Sequence, residues 1–205
     1  MILVIRHAQK DVHGNLTKNG RRAATGLGRI VRQMGFADAI VAPNDRCSET
    51  ARKANLRILG EEERLAIPDG YEEYLNKVVV TRMLEQEGEP WEKSFTRAVL
   101  EDPLYDSIFA SWGALLTSVI VAKEVARNSI LRFQGNTDGV FENNPNFGYS
   151  RLKDYSNCVF IGSSPVVELA YLALIGSSDW RDFPRCRELE GFTLSAGTVP
   201  NLFKL

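Results

Sequence analysis

Two apolar runs that do not alternate, residues 2–5 and 158–161, constrain this chain more than any other feature. A strand with one wet face alternates apolar and polar side chains. A run that is apolar at every position has both faces covered, as in the middle of a parallel sheet. The first run ends directly on Arg6-His7. In open α/β sheets ligands bind beyond the carboxyl ends of the strands, so that dipeptide stands where chemistry is expected.

Between the two runs the pattern turns helical. Thr17 is placed to cap a helix running to about Met34. Ala23, Leu27, Ile30, Val31 and Met34 share one face of it, and Gly35 offers a stop. Residues 39–41 read as a short strand, and Ser48 is placed to open a helix that ends near Gly60. Residues 68–103 carry weak signals and read as surface loop with helical pieces. A long helix is expected over about 106–127, where Phe109, Trp112, Leu116, Val119, Ile120 and Ala126 recur at helical spacing. The turn-rich stretch 135–148 is expected to form a loop or lid. Pro165 suits the first turn of a helix continuing to Ile175 and stopping at Gly176. This alternation predicts an α/β three-layer sandwich, a mostly parallel central sheet with helices on both faces. The 205 residues are expected to form a single domain, with a variable helical and loop insertion over about 72–150.

Composition narrows the function. The formal net charge is −1, so any anion site must be local, built from a few placed cations. Basic residues are not interleaved with aromatics, which argues against a nucleic-acid partner. Cys47, Cys158 and Cys186 are odd in number and lack redox or metal spacing, so reduced thiols are expected. The apolar N-terminus meets charge at once and does not read as a signal peptide. The apolar-rich stretch 108–125 is interrupted by Ser111, Ser118, Lys123 and Glu124 and falls short of a membrane span. A cytoplasmic protein with no membrane partner is expected.

Several chemistries are excluded by spacing. A cysteine-based phosphatase needs an arginine closing the loop from its cysteine, and Lys53 stands there after Cys47. No P-loop is present, and Gly26-Leu27-Gly28 lies inside a helical pattern rather than after a strand. Only His7 and His13 are present, without paired spacing, so neither a zinc site nor any other cofactor is expected.

Arg6-His7 itself offers a nucleophile beside an oxyanion fork. Neutral imidazole attacks well near neutral pH, and guanidinium binds phosphate oxygens in pairs. Three motifs in order then resemble the histidine phosphatase superfamily, the phosphoglycerate-mutase-like clan. They are LVIRHAQK at residues 3–10, LTKNGRRAA at 16–24 and APNDRCSETA at 42–51. VFIGSSPVVELA at 159–170 is similar to the strand–turn–helix that carries the clan's second histidine.

The resemblance implies the phosphoglycerate-mutase-like fold and a metal-independent phosphoric monoester hydrolase. His7 would attack the phosphoryl group to give a phosphohistidine that water hydrolyses. Arg6 and Arg46 would hold the phosphoryl oxygens, with Thr17 and Ser163 as further phosphate-binding residues. Glu72 or Glu73 would protonate the leaving oxygen; the order of the chain leaves the choice open. Ser48 has a second reading facing the phosphate, and Lys10 and His13 are placed to line the entrance. The implied partner is a phosphorylated small molecule or a phosphoprotein. Mutase activity is less expected.

One departure from the pattern matters. Ser163 occupies the second histidine's place, and His13 is the only other histidine besides His7. Losing one transition-state donor costs roughly 10²–10³ in turnover. Two alternatives therefore stand beside each other: an impaired phosphatase, and a weak or inactive relative that binds a phosphorylated ligand or partner. An interaction protein that merely reuses the fold is a third.

Overall fold

The computed structural model describes residues 1–66, 71–85, 91–101, 157–177, 179–195 and 198–205. The helix expected over about 106–127, the loop expected over 135–148 and most of the insertion lie outside the described residues.

In chain order the elements are β1 (Ile2–Arg6), α1 (Lys18–Gln33), β2 (Asp38–Val41), α2 (Asp45–Lys53), β3 (Arg57–Glu61), α3 (Tyr71–Glu85), α4 (Trp91–Leu100), β4 (Cys158–Gly162), α5 (Val166–Ile175), β5 (Gly191–Leu194) and β6 (Asn201–Phe203). The sheet runs β3-β2-β4-β1-β5-β6. Its first four strands are mutually parallel, and β5 and β6 add antiparallel at one edge. Every residue of β4 is buried, as are Ile2, Leu3, Val4 and Ile5 of β1. Successive side chains on a strand point to opposite faces, so this burial requires cover on both. The result is the mostly parallel three-layer α/β arrangement that the two apolar runs predict.

The helix ends have local causes. Thr17 Oγ1 accepts from the Gly20 N–H at 2.9 Å and caps α1. At the other end Gly35 adopts φ 87°, and the N–H groups of Gly35 and Phe36 return to Arg32 O and Val31 O. That pairing is the Schellman stop. Helix α2 differs from the sequence reading. Asn44 caps it, accepting from the Cys47 N–H at 2.9 Å, and Ser48 lies buried inside the helix. Its stop is Asn55, at φ 54°, rather than Gly60. Asn tolerates the left-handed conformation because its short amide bonds locally. The chain is thereby released into β3, a half-exposed outer strand that contains Gly60.

Residues 71–85 and 91–100, expected to be loop with helical pieces, are two regular helices. Leu75 and Val79 of α3 and Ala98 and Val99 of α4 pack with Leu169 and Leu172 of α5 in a second apolar cluster. On its other side α5 gives Val166, Val167 and Ala170 to the main core. A helix covered on both sides should be apolar all round, and VVELAYLALI carries one charge in ten residues.

Helices α1 and α2 touch through a glycine. A Cβ on Gly28 would lie 2.2 Å from Ala54 O, a backbone atom that cannot yield. Gly28→Ala is therefore expected to destabilise the protein by about 1–3 kcal/mol, although alanine is the better helix former by roughly 1 kcal/mol. Urea unfolding checks this: the midpoint should fall with an unchanged slope.

Candidate active site

Three adjacent parallel strands, β2, β4 and β1, end at the same edge, and each delivers one part of the site. His7 follows β1 and donates its backbone N–H to Gly162 O, the last residue of β4, at 2.9 Å. Arg46 sits in the first turn of α2, just beyond β2. Ser163 follows β4, and its Oγ accepts from Arg46 Nη2 at 3.3 Å. His7, Arg6, Arg46 and Ser163 are thus brought together from segments far apart in the chain.

The junction is locked by one buried hydroxyl. Thr50 Oγ1 donates to Arg46 O at 2.6 Å and accepts the Ala8 N–H at 3.1 Å. It ties the segment carrying His7 to the start of α2. The following loop is held as well. The Thr17 N–H donates to Gln9 O at 3.0 Å, and the Thr17 hydroxyl donates to Gln9 Oε1 at 2.9 Å. A Cβ on Gly20 would stand 2.3 Å from Gln9 O, so a glycine is required where α1 meets this loop. The Thr17 hydroxyl is thus engaged in capping and in holding Gln9.

The His7 ring is buried, 3% exposed. Its Nδ1 lies 2.7 Å from Ala8 O. A carbonyl only accepts, so Nδ1 carries the hydrogen and the lone pair resides on Nε2. Burial pushes the imidazole down to about 3; the Ala8 bond opposes this, and the charges of Arg46, Arg6 and Lys10 add to it. The ring is neutral at physiological pH.

Two guanidiniums lie near enough to act on its charge. Arg6 Nη1 donates to Cys186 O at 3.2 Å, while its Nε is buried without a partner. Arg46 Nε is buried and unpartnered in the same way. Buried donors are nearly always bonded, and an unpaired guanidinium edge matches two oxygens of a phosphoryl group.

Of the two carboxylates named from the sequence, Glu73 is not brought into this arrangement: it lies exposed on α3, paired with Lys77 at 2.9 Å. The Glu72 side chain lies outside the described residues. Lys10 bridges Leu16 across the loop, and His13 is exposed near its tip. Ser48 neither caps α2 nor shows a bond to a site residue.

Glu168 was missed by the sequence reading. It is 2% exposed, its Oε1 accepts from Ser164 Oγ at 2.9 Å, and Arg6 lies near enough to act on its charge. Its signal was the single charge in an otherwise apolar helix. Among the described residues no cluster of histidine, cysteine or carboxylate side chains could hold a metal, and no helix is long and apolar enough to cross a membrane.

The ring's depressed proton affinity has a measurable sign. As pH falls, the unfolded chain protonates this histidine near 6.5 and the native chain only near 3. The stability that goes with neutral His7 is therefore present above 6.5 and is lost as pH falls toward 3. Urea midpoints across that range should decline less steeply in His7→Asn than in the native protein. Nitrogen-resolved NMR of the native ring should show the Nδ1–H tautomer.

No protein-family model matches the chain, and no curated protein sequence matches it. Solved structures do. The product of open reading frame Rv3214 of Mycobacterium tuberculosis is similar at a TM-score of 0.54 and 15% identity, over 100% of this chain and 95% of that one. A phosphoserine phosphatase of Entamoeba histolytica, in complex with 3-phosphoglyceric acid, is similar at 0.51 and 16%, over 99% and 94%. Strand order, whole-length likeness and the placement of Arg6-His7 agree: the chain has the phosphoglycerate-mutase-like fold of the histidine phosphatases.

Proposed function

We propose that the chain is a metal-independent phosphoric monoester hydrolase acting through a phosphohistidine at His7. The observation that carries this reading is the buried imidazole with Nδ1 bound to Ala8 O, under the charge of two guanidiniums whose Nε donors are unpartnered. One of the two similar structures is itself a phosphatase, on the same fold.

The chemistry follows from these groups. Nε2 of His7 attacks phosphorus, and the P–O bond to the leaving group breaks. Arg6 and Arg46 neutralise the equatorial oxygens as charge shifts among them. The P–N bond of the phosphohistidine is then cleaved by water, returning the neutral ring and inorganic phosphate. Ser163 supports the cradle: its oxygen accepts from Arg46, and its own O–H remains a donor toward the phosphoryl group. The leaving oxygen takes its proton from Glu72 in this scheme, since Glu73 is exposed and paired with Lys77, or from water where the leaving group is a good one. The substrate is a phosphorylated small molecule or phosphoprotein.

The Ser163 hydroxyl favours a second reading, a relative that binds phosphorylated ligands and turns them over slowly. A serine lacks the charge and reach of an imidazole, so transition-state stabilisation is reduced.

An aryl-phosphate assay separates these readings. His7→Ala should lower kcat by at least about a thousandfold, and Arg46→Ala by roughly 10²–10³. Equal rates for native protein and His7→Ala would exclude the nucleophile. Ser163→His should raise kcat by roughly 10²–10³ if the second reading holds. No gain would mean that the serine costs the site little.

A further inference from the structure

Among the described residues, three buried side-chain atoms lack a hydrogen-bond partner: Arg6 Nε, Arg46 Nε and Glu168 Oε2. The phosphoryl scheme uses the first two. Glu168 belongs to no step of it, yet it is a carboxyl group at 2% exposure beside one of the two phosphate-binding cations.

The connection runs through the strand end and one loop residue. Ser164, next to Ser163, donates its hydroxyl to Glu168 at 2.9 Å, and the Cys186 carbonyl accepts from Arg6 Nη1 at 3.2 Å, while the Cys186 N–H donates to Pro184 O and also acts on the Glu168 carboxyl. Among the described residues, Arg6 of β1 is the one cation acting on that carboxyl, the Cys186 thiol is kept neutral by burial, and Ser164 offers a hydroxyl. Strand β5, against which α5 packs, carries no charged residue, and Glu168 is the only one on α5.

We propose that Glu168 is a charge-sharing partner of Arg6: as a neutral acid it leaves the guanidinium's full charge to an oxyanion in the pocket, and as a carboxylate it draws part of that charge away. The inference rests on the phosphoryl pocket proposed above. Its physics is competition between two anions for one cation in a poorly screened interior. Burial holds Glu168 up to about 7, with its own N–H, Ser164 and Arg6 opposing, so both states are populated near neutral pH. An arriving oxyanion adds negative charge nearby and raises the carboxyl's proton affinity further. Binding must then take up a proton, and by linkage oxyanion affinity must fall as pH rises through this range.

Sulfate is the probe, because it stays a dianion throughout that interval and His7 does not titrate there. Sulfate affinity of the native protein should fall between about pH 6 and about pH 8.5, with a limiting slope of about tenfold per pH unit for one coupled proton. Glu168→Gln keeps an acceptor for Ser164 without the charge, so its affinity should be high and nearly flat. The same slope in Glu168→Gln, or no slope in the native protein, overturns the inference. Should that variant fail to fold, calorimetry on the native protein in buffers of different ionisation enthalpy counts protons directly. About half a proton taken up per sulfate at pH 7, rising toward one near pH 8, supports the inference, and none at either pH overturns it. The pocket is tested separately: no sulfate binding by the native protein, or binding untouched by Arg46→Ala, sinks the pocket and this inference with it.

Discussion

The hydrogen bond from His7 Nδ1 to Ala8 O, 2.7 Å long and buried, is the interaction on which the site depends. It decides which ring nitrogen is protonated, and so which one carries the lone pair. It also fixes the ring plane, since the acceptor belongs to the next residue and cannot drift. That carbonyl is in turn held by its neighbours: the Ala8 N–H goes to Thr50, and Thr50 goes to the carbonyl of Arg46. The segment carrying His7 and the start of α2 with Arg46 are thus linked through a single hydroxyl, and a shift in either is passed to the other.

Electrostatics and burial work in the same direction here. Two guanidiniums beside an imidazole would be poorly placed if the ring had to carry charge. Keeping the ring neutral removes that repulsion. Glu168, near enough to Arg6 to feel its charge, is out of contact with solvent on a helix packed between the sheet and the pair α3 and α4. Its burial follows from the position of α5, which must be covered on both sides to complete the two apolar clusters.

How far the sequence could be read depended on the kind of signal. Strands β1 and β4 were legible because full burial removes alternation, and α1 because Thr17 and Gly35 mark its ends. Strand β3 was not legible: RILGE is half exposed, so it shows neither a buried run nor a clean period. The start of α2 was misplaced because Asn44 and Ser48 are both good caps, and only tertiary placement chooses between them. The end was misplaced because the left-handed residue is an asparagine rather than the glycine that usually serves. At the site, Arg6, His7, Arg46 and Ser163 belong to contiguous motifs and could be named. The Cys186 carbonyl could not, since a backbone acceptor in a distant loop leaves no trace in residue type. Glu168 left one, a lone carboxylate in an apolar helix, but composition alone does not separate a buried charge from one at a helix edge.

The strand order carries a consequence for how the chain reaches this state during synthesis. β1 pairs with β4 and β5, and β2 with β3 and β4; β1 and β2 never touch in the sheet. A ribosome delivers β1 first, with both of its edges still unsatisfied until residues 158–162 emerge. Closing so long a span is entropically slow, and apolar edges left open invite pairing with other chains. Strand β1 is therefore among the last strands of the sheet to be secured, although it precedes the other five in the chain.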